Sequence, residues 1–463
     1  MQPKMNSEQE AQISMKVISR LILARLILVG LVVFALLQIV RPGIPAKPET
    51  AQLAVPPEVR HILEKDCYSC HSDQRRLAWF DQIVPAYWLV RHDILDAREH
   101  LNFSALGALP AAAQKAKLYE AVTMIQLGAM PLPQFVQLHP EAKVTPEELT
   151  TLKTYLSPWS PIQPQAEGSL PAHADLNAVQ PEPNGFPFDP TFESWKPIST
   201  TDRGDNNTFR LILGNDIAIQ AAQSGNIAPW PDGARFAKIA WQQQPSLDGL
   251  IRPGKFVQVE IMLKDAQRFK QTEGWGWGRW RGADLKPYGE NARFVTECTS
   301  CHLPVRGDDY VYTLPVTAAK VAPDQAVNNN AAALPATLPW QPLGWSAITM
   351  YVDSKTRTTA TLYGNEAAIK AAHAATARQQ VPSYPPGAVL ALVTWAQRED
   401  PHWFGARIPD LPQSVEFLQT ATPSQVPTYR HFASPSLIED HPASATAAQR
   451  INFIQTQPPA WLP

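Results

Sequence analysis

Two short stretches of the chain carry residue types that could hold a redox-active metal group. Each has the pattern Cys-x-x-Cys-His, and together they use all four cysteines of the 463 residues. On a helix, side chains at i, i+3 and i+4 share one face, so two thiols can bond both vinyl groups of one haem while the histidine lies under its iron. The sequence therefore predicts two covalently bound c-type haems. Their attachment residues and proximal ligands are Cys67, Cys70 and His71 for the first haem, and Cys298, Cys301 and His302 for the second.

Pairs of the form Cys-x-x-Cys also occur in zinc sites and in thiol-redox sites. A zinc ribbon places its second pair about 15–20 residues after the first, whereas these pairs begin at Cys67 and Cys298. A thiol-redox site requires neither the following histidine nor a second copy of the motif. Haem attachment is therefore favoured over both alternatives.

The first iron has a candidate second ligand downstream of its motif. Met130 lies between Gly128 and Pro131 in "GAMPLPQF", outside any apolar helical stripe. A thioether opposite a histidine holds iron low-spin and raises its potential, which suits electron transfer. Met130 is thus the predicted ligand, with simple packing as the alternative. The rival ligands are His92, His100 and His139.

The second iron has no equivalent partner after its motif, because the only methionine beyond His302 is Met350, in a different region. Met262 precedes the motif on a strand pattern that also carries Glu260. Either Met262 closes the iron, or the far face is open and Glu260 and Lys238 line it. A third alternative leaves both charged residues as solvated surface groups.

An apolar run near the amino terminus indicates the compartment. Residues 21–40, "LILARLILVGLVVFALLQIV", are long enough for about 30 Å of helix, and Lys4, Lys16, Arg20 and Arg25 lie at or before its first turns. Basic residues there favour an amino end that stays inside the cell. No small-residue cleavage site follows directly, so we predict a single-pass inner-membrane anchor with the bulk of the chain in the periplasm. A cleaved signal peptide is the alternative.

Composition excludes some partners and predicts several domains. A net charge of −2 gives no indication of a nucleic-acid surface. The counts of 45 prolines and 22 glycines indicate long, ordered connectors, and Thr145 and Glu148 form a capping box at the start of a helix. The expected segments are 1–41 (tail and transmembrane anchor), 42–157 (small all-α haem domain), 158–190 (proline-rich linker), 191–320 (β-rich haem domain), 321–340 (linker), 341–420 (haemless repeat) and 421–463 (tail).

The β-rich region contains an internal repeat. Trp195, Gly214, Asn215 and Trp241 correspond to Trp345, Gly364, Asn365 and Trp395. The second copy has Leu392 where the first has Lys238, and it lacks Cys-x-x-Cys-His, so we interpret it as a haemless copy of the same fold. The predicted fold class is therefore α+β and multidomain: a transmembrane helix, an all-α domain and two β-rich repeats.

Alternation assigns faces to two strands of the first copy. "ARFAKIAW" places Phe236, Lys238 and Ala240 on one side. "KFVQVEIMLKD" places Val257, Val259, Ile261 and Leu263 on one face, and Phe256, Gln258, Glu260 and Met262 on the other. Trp275, Trp277 and Trp280 could wall the haem but are expected in the β-core, because tryptophans bury large areas.

Two sets of motifs resemble known families. "CYSCHSDQRRLAWFDQIVPAYW", "REHLNFS" and "GAMPLPQF" resemble the haem-binding domain of bacterial membrane-anchored cytochromes, over roughly 45–157. That resemblance supports His71 and Met130 as ligands. "WPDGARFAKIAW", "PGKFVQVEIMLKDAQRF", "GWGWGRW" and "CTSCHLPVRGDDYVYT" resemble the cytochrome P-460 family, over about 190–320.

The second resemblance implies a particular kind of site. Members of that family are β-rich c-type haem proteins with a histidine-ligated iron and an open distal face, and some oxidise hydroxylamine. In the members that oxidise hydroxylamine, the haem carries an extra crosslink to a lysine, at a position matched by Lys238. Glu260 falls close to the carboxylate that accepts protons there. The related c′-beta cytochromes bind nitric oxide or carbon monoxide and lack the crosslink, so the motifs leave the state of Lys238 open.

The resulting hypothesis is a periplasm-facing dihaem c-type cytochrome. One haem transfers electrons to a redox partner, and the other is open to a small nitrogen oxide such as hydroxylamine or nitric oxide. The main alternative is a pure electron carrier with two six-coordinate irons. A nitric-oxide binding module without turnover is a further alternative.

Overall fold

The computed structural model describes residues 7–45, 51–74, 76–157, 162, 164, 171–316, 328–378, 380–422 and 426–463. The chain forms two compact units. One consists of Met1–Lys117 with Pro131–Tyr155, and the other of Leu118–Met130 with Leu156–Pro463. Lys4 and the side chain of Lys16, which contribute to the predicted orientation in the membrane, lie outside the described part of the chain.

The first unit is helical. Its second helix begins with Pro57 and buries Val59, Ile62 and Leu63 on one face, as predicted from their spacing. The capping box is also confirmed, because Thr145 N–H donates to Glu148 at 2.9 Å and Glu148 N–H donates to Thr145 Oγ1 at 3.2 Å. The helices are α1 (Ser7–Leu37), α2 (Pro57–Asp66), α3 (Tyr68–His71), α4 (Ala86–His100), α5 (Phe103–Leu106), α6 (Ala111–Gln126, which runs on into the second unit), α7 (Pro133–Leu138) and α8 (Pro146–Leu156).

Helix α1 is the one helix, among the described residues, that is long and apolar enough to cross a membrane. The apolar span is Ser19–Leu37, with a mean hydropathy of 2.5 and exposed side chains. It ends before the predicted boundary at Val40, because Ile39 and Val40 leave the α-helical hydrogen-bond ladder and donate to Leu36 and Leu37. A helix of this length is compatible with a single-pass anchor and with a signal sequence.

The second unit is built on an antiparallel sheet that closes into a barrel. The strand order is β1-β2-β3-β4-β7-β8-β9-β10, and β10 pairs back with β1. The elements of its first half are β1 (Lys196–Arg203), β2 (Thr208–Gly214), α9 (Asp216–Ser224), β3 (Arg235–Pro245), β4 (Ile251–Lys264), β5 (Trp275–Arg281), β6 (Lys286–Pro287) and α10 (Val295–His302). Those of its second half are β7 (Ser346–Asp353), β8 (Thr358–Gly364), α11 (Glu366–Arg378), β9 (Val389–Glu399), β10 (Ala406–Gln419), β11 (Thr428–Ala433), β12 (Ile438–Asp440) and α12 (Ser444–Gln455).

The two halves share their order of elements and their local hydrogen bonds. Asn215 caps α9 by accepting from Ala218 N–H at 3.0 Å, and Asn365 accepts from Ala368 N–H at 3.1 Å. Each asparagine oxygen also accepts a backbone N–H from the following strand, and each amide group donates to a glycine carbonyl. An asparagine side chain can satisfy donors at a helix start, so both halves turn from strand to helix in the same way.

The predicted face of β4 is correct except at one position. Lys238 pairs with Glu260, and Phe236 pairs with Met262, so these side chains share a face of the sheet. Phe256 was assigned to that face but packs instead in the core with Val259. The register shifts between Ala240 and Trp241, and a bulge of this kind moves the following side chains to the opposite face.

Several segments expected to be linker or tail pack into the second unit. Phe186 and Phe188 lie in the core with Trp280, and Leu334 is buried in the second half. At the carboxyl end, Trp461 accepts a hydrogen bond from Trp241 Nε1 at 2.7 Å. Proline-rich composition therefore marks irregular backbone here, and not exposure. Residues 158–161, 163, 165–170 and 321–327 of the predicted linkers lie outside the described residues, as do residues 317–320 at the end of the predicted haem domain.

Candidate functional site

Helix α10 carries the second Cys-x-x-Cys-His motif and fixes the orientation of its histidine. Cys298, Cys301 and His302 lie on this one helix. The Nδ1 of His302 lies 2.7 Å from the carbonyl oxygen of Tyr310. An Nδ1–H bond to a backbone carbonyl leaves Nε2 free as the metal-binding nitrogen. Burial lowers the pKa of His302 to about 4, so the imidazole is neutral, as a ligand must be.

The carbonyl that orients His302 is itself held by a turn. Asp309 and Tyr310 both have positive φ, 48° and 65°, which brings the chain back over the helix. The Asp309 carboxylate accepts from Lys264 Nζ at 2.7 Å and from Trp230 N–H at 2.8 Å. Asp309 is therefore a positioning residue, and sequence reasoning did not single it out.

Tyr312, two residues after Tyr310, also supports helix α10. Its hydroxyl donates to the carbonyl of Cys301 at 2.6 Å, and its ring meets His302 edge-on at 5.0 Å. The loop between β9 and β10 holds it in place: His402 Nδ1 lies 2.7 Å from the Tyr312 carbonyl, and the Trp403 ring lies 5.7 Å from the Tyr312 ring. The second half of the sheet thus supports the histidine of the first.

A charged cluster faces the same region from β2, β3, β4 and β5. Lys238 forms an ion pair with Glu260, and Arg279 Nε lies 2.9 Å from Glu260 Oε1. The side chains of Lys238 and Glu260 are 28% and 15% exposed, so both are largely withdrawn from solvent. Arg279 also lies 3.2 Å from Glu297, on α10. Cross-strand pairing explains the cluster, since these residues are register neighbours.

The cluster shifts the pKa of each of its members. Burial, together with the neighbouring Arg210, lowers the pKa of Lys238 to about 8 against the opposing effect of Glu260. Burial acts to raise the pKa of Glu260, but the charges of Lys238, Arg279 and Arg210 outweigh it and hold that pKa well below its usual range. Burial lowers the pKa of Arg210 to about 10. Glu260 is therefore ionised, and Lys238 carries a readily lost proton.

The residues around α10 fit a haem. Arg210 Nε and Trp277 Nε1 are buried without a hydrogen-bond partner among the described residues, and a haem supplies carboxylate acceptors. The Trp277 ring lies 4.6 Å from His302, and Met262 packs against the apolar cluster that contains Trp277 and Cys298. Apolar walls with a few oriented polar groups are what cofactor sites require.

The tryptophans of β5 lie in the β-core, and one of them also contacts the histidine of the second motif. Trp275 and Trp280 are fully buried, in two different core clusters, as expected for core residues. Trp277 is buried too, and it also contacts His302. Core packing and a haem wall are therefore not exclusive here.

The first motif is arranged similarly within the helical unit. Cys67 is the junction between α2 and α3, and its carbonyl accepts from the N–H of His71 at 2.9 Å. The Nδ1 of His71 lies 2.9 Å from the carbonyl of Leu101, so Nε2 is again the free nitrogen. Burial lowers the pKa of His71 and raises the pKa of Cys67 to about 12 and that of Cys70 to about 11. The thiols are thus neutral before attachment.

The predicted ligand Met130 lies in a short loop. Gly128 ends α6 with a φ of +69°, and the N–H of Met130 donates to Met124 O at 3.2 Å. The loop precedes the short α7, which is followed by α8. Among the rivals, His139 has carboxylates near both ring nitrogens, Asp81 at 3.0 Å and Glu141 at 3.3 Å, and it is a satisfied core histidine.

The other rivals are less buried. The side chain of His92 is 78% exposed and that of His100 is 41% exposed. Met350, the methionine that follows His302 in the sequence and was considered for the second iron, packs with Phe209 and Val352 in a separate apolar cluster. Met130 therefore stays the predicted ligand of the first haem.

These two sites, on a helical unit and on a closed antiparallel sheet, define a haem cytochrome. Comparison with protein families agrees: residues 28–158 match the model of a haem-binding domain, and residues 190–313 match the model of cytochrome P460. The chain thus combines a haem-binding domain with a cytochrome P460 domain. A comparison with curated proteins found no match to the chain.

Proposed function

We propose that the protein is a membrane-anchored dihaem c-type cytochrome with two different sites. The haem held by Cys67, Cys70 and His71 transfers electrons. The haem held on α10 keeps an open coordination position for a small nitrogen oxide. The observation that carries this proposal is the ion cluster of Lys238, Glu260 and Arg279 beside the helix of His302, because burying charge is costly and adds little stability, which favours a functional role for the cluster.

The residues of the second site divide the chemical tasks among them. When bound, a haem would supply an iron able to accept electrons from a small nitrogen oxide, and His302 would hold that iron through Nε2. Glu260 is ionised, and once Lys238 has lost its positive charge it would accept a proton, which oxidation of hydroxylamine releases together with electrons. Arg210 and Arg279 stabilise the carboxylate in its charged form.

Lys238 controls how basic Glu260 is. With a pKa of about 8, roughly a tenth of the lysine is uncharged at pH 7. The uncharged amine is the nucleophilic form, and a crosslink would replace one of its N–H bonds and one ring C–H bond by a C–N bond, with a peroxide as the two-electron oxidant that is reduced to water. Such a crosslink would remove one positive charge from Glu260. The carboxylate would then be a stronger base, so crosslinking and proton acceptance are coupled.

The amino-terminal helix and the second half of the sheet complete the proposal. Helix α1 acts as a single-pass inner-membrane anchor, with the bulk of the chain in the periplasm, where c-type haem is attached. The segment from β7 to α12 is a haemless copy of the haem-bearing half. Two observations support this: the shared element order, and Glu416, which pairs with Leu392 in the register at which Glu260 pairs with Lys238.

Absorption spectra of the reduced holoprotein with and without carbon monoxide test the open site. We expect one of the two haems to change its spectrum. A spectrum that no diatomic gas alters would mean two closed irons and a pure electron carrier. Consumption of hydroxylamine in the presence of an electron acceptor then distinguishes an enzyme from a gas-binding module, and mass measurement of the haem peptide shows whether Lys238 is bonded to the ring.

A further inference from the structure

The chain that leaves the apolar helix does not hang free but is bound along helix α4. The side-chain amide of Gln38 makes two hydrogen bonds with the backbone of Val84, both at 3.0 Å. Two residues on, the carbonyl of Val40 accepts from Trp88 Nε1 at 2.9 Å. These bonds fix the start of α4 at the level where the apolar span Ser19–Leu37 ends.

Further bonds continue this attachment along the helix. Tyr87 donates its hydroxyl to Pro42 O at 2.7 Å, and Arg91 Nε donates to Gly43 O at 3.1 Å. The guanidinium of Arg41 lies 4.8 Å from the centre of the Tyr87 ring. The connection between α1 and the helical unit is therefore stiff over several residues.

The surface at this level is apolar and unusually exposed. Ile39 is 78% exposed, and at the start of α4 Trp88 is 38% and Leu89 is 60% exposed. Exposing these apolar side chains to water, together with arginines, would not stabilise a helical unit. A tryptophan that hydrogen-bonds at one end and is apolar over its body suits the interface between hydrocarbon and lipid headgroups.

We infer that the surface formed by Ile39, Val40, Trp88 and Leu89 sits in the interfacial layer of the membrane. The inference rests on the proposed role of α1 as an anchor. The span Ser19–Leu37 has 19 residues, or about 28 Å of helix at 1.5 Å per residue, close to the thickness of the hydrocarbon core. Val40 then lies at the headgroup level, and the bond from Trp88 brings the start of α4 to that level. The occupant of the surface is lipid, and the helical unit is seated on the bilayer and not merely tethered to it.

Depth measurement on single inserted cysteines tests this seating. All four native cysteines belong to the haem motifs, so the holoprotein offers no other thiol to a spin label. Leu89→Cys places a label on the surface in question. Ile39→Cys calibrates the interfacial level, and Leu138→Cys, at a leucine 65% exposed in the same unit, is the aqueous control. The full chain is studied in nanodiscs of phosphatidylethanolamine and phosphatidylglycerol.

The readout is the collision rate of each label with oxygen, which partitions into lipid, and with a nickel chelate, which stays in water. We expect the label at 89 to match that at 39, with a ratio of oxygen to nickel collisions at least threefold above that at 138. A label at 89 that behaves like the one at 138 overturns the inference while leaving the anchor intact. If the mature chain lacks α1, as shown by its intact mass, the anchor and the seating both fail, and the open-site proposal is still tested separately by carbon monoxide.

Discussion

At the residue scale, each haem-binding histidine is oriented by a backbone carbonyl from another part of the chain. His71 uses Leu101 and His302 uses Tyr310. A backbone carbonyl is retained when the side chain of its residue is substituted. Because it carries no charge, it fixes the histidine tautomer without giving the imidazole strong anionic character. The two proposed irons would therefore have similar proximal sides, and any difference between them would come from the opposite side.

Met130→Ala tests that difference directly. If the Met130 thioether closes the first iron, its removal should open that iron, and the reduced variant should show two haems that respond to carbon monoxide where the native protein shows one. Met350→Leu is the matched control, since Met350 packs with Phe209 and Val352 in an apolar cluster separate from both motifs, and we expect it to leave the native response unchanged. A single responsive haem in Met130→Ala would show that another residue closes the first iron.

Glu260→Gln tests the proton acceptor. The substitution keeps the shape of the side chain but removes the base, so hydroxylamine consumption should fall by about 10²- to 10⁴-fold while carbon monoxide still binds. Glu290→Gln, at an exposed glutamate of the same half, should retain native turnover. Equal rates for the two variants would remove Glu260 from the proposed proton transfer.

At the element scale, the two halves of the sheet differ in what their last helix does. Helix α10 presents cysteines and a histidine, whereas α12 presents apolar residues and one arginine. Ile454 is fully buried in the core of the second half, and Arg450 Nε donates to the buried Glu416 at 2.8 Å. The carboxylate that corresponds in register to Glu260 is thus neutralised from within the helix.

Arg450→Met should reveal how much that neutralisation contributes. Among the described residues it leaves Glu416, which is 2% exposed, with the Tyr429 hydroxyl as its remaining side-chain donor, and the expected loss is about 3–5 kcal/mol in the free energy of unfolding. The double variant Arg450→Met, Glu416→Leu should recover most of that loss.

Arg430→Met is the surface control for this pair. Arg430 binds Glu439 at 2.7 Å, but both side chains are about one-third exposed, so the expected loss is under about 1 kcal/mol. Denaturant titration measures all three variants. Similar losses for Arg450→Met and Arg430→Met would mean that Glu416 finds another partner or water.

Sequence reasoning recovered the parts of the molecule that local pattern controls. The alternation placed Lys238 on one face of β3 with Phe236, and Glu260 on one face of β4 with Met262, as the pairing of the strands shows, and the capping box of α8 was correct. It assigned Phe256 to the wrong face, because an alternating pattern contains no signal for a bulge. It also missed Asp309, Arg210, Arg279 and His402, whose roles depend on contacts between distant segments that only the folded sheet brings together.

At the scale of the whole molecule, the two compact units should unfold separately, since each has its own core. Asp66 lies in the first unit with its side chain fully buried, and burial raises the pKa of its carboxyl to about 6. Its folded-state pKa is therefore above the unfolded value of 3.8. Stability from this group is present below pH 4 and is lost as the pH rises towards 6, so ionised Asp66 weakens the first unit at neutral pH.

Asp66→Asn should therefore stabilise one unit in a pH-dependent way. At pH 7 we expect the first unit to gain roughly 1–3 kcal/mol, and at pH 4 little or nothing. Scanning calorimetry at the two pH values, with Asp96→Asn at a half-exposed acid of the same unit as the control, measures the effect. A gain of equal size at both pH values, or a shift in both transitions, would contradict this assignment.

Helix α6 limits where the gene of this protein can be divided, because its second part belongs to the second unit. Residues 118–130 come from the haem-binding domain in the family comparison, yet they belong to the second unit. The buried Tyr119 stacks on Phe404 at 5.2 Å, and Thr123 accepts the Phe404 N–H at 3.1 Å. Gly405 is needed there, because a Cβ would lie 2.7 Å from the Tyr119 ring. If the gene were divided at the proline-rich segment, the carboxy-terminal product would lack residues 118–130, which belong to the second unit. Recombination at that segment would therefore not transfer the second unit intact.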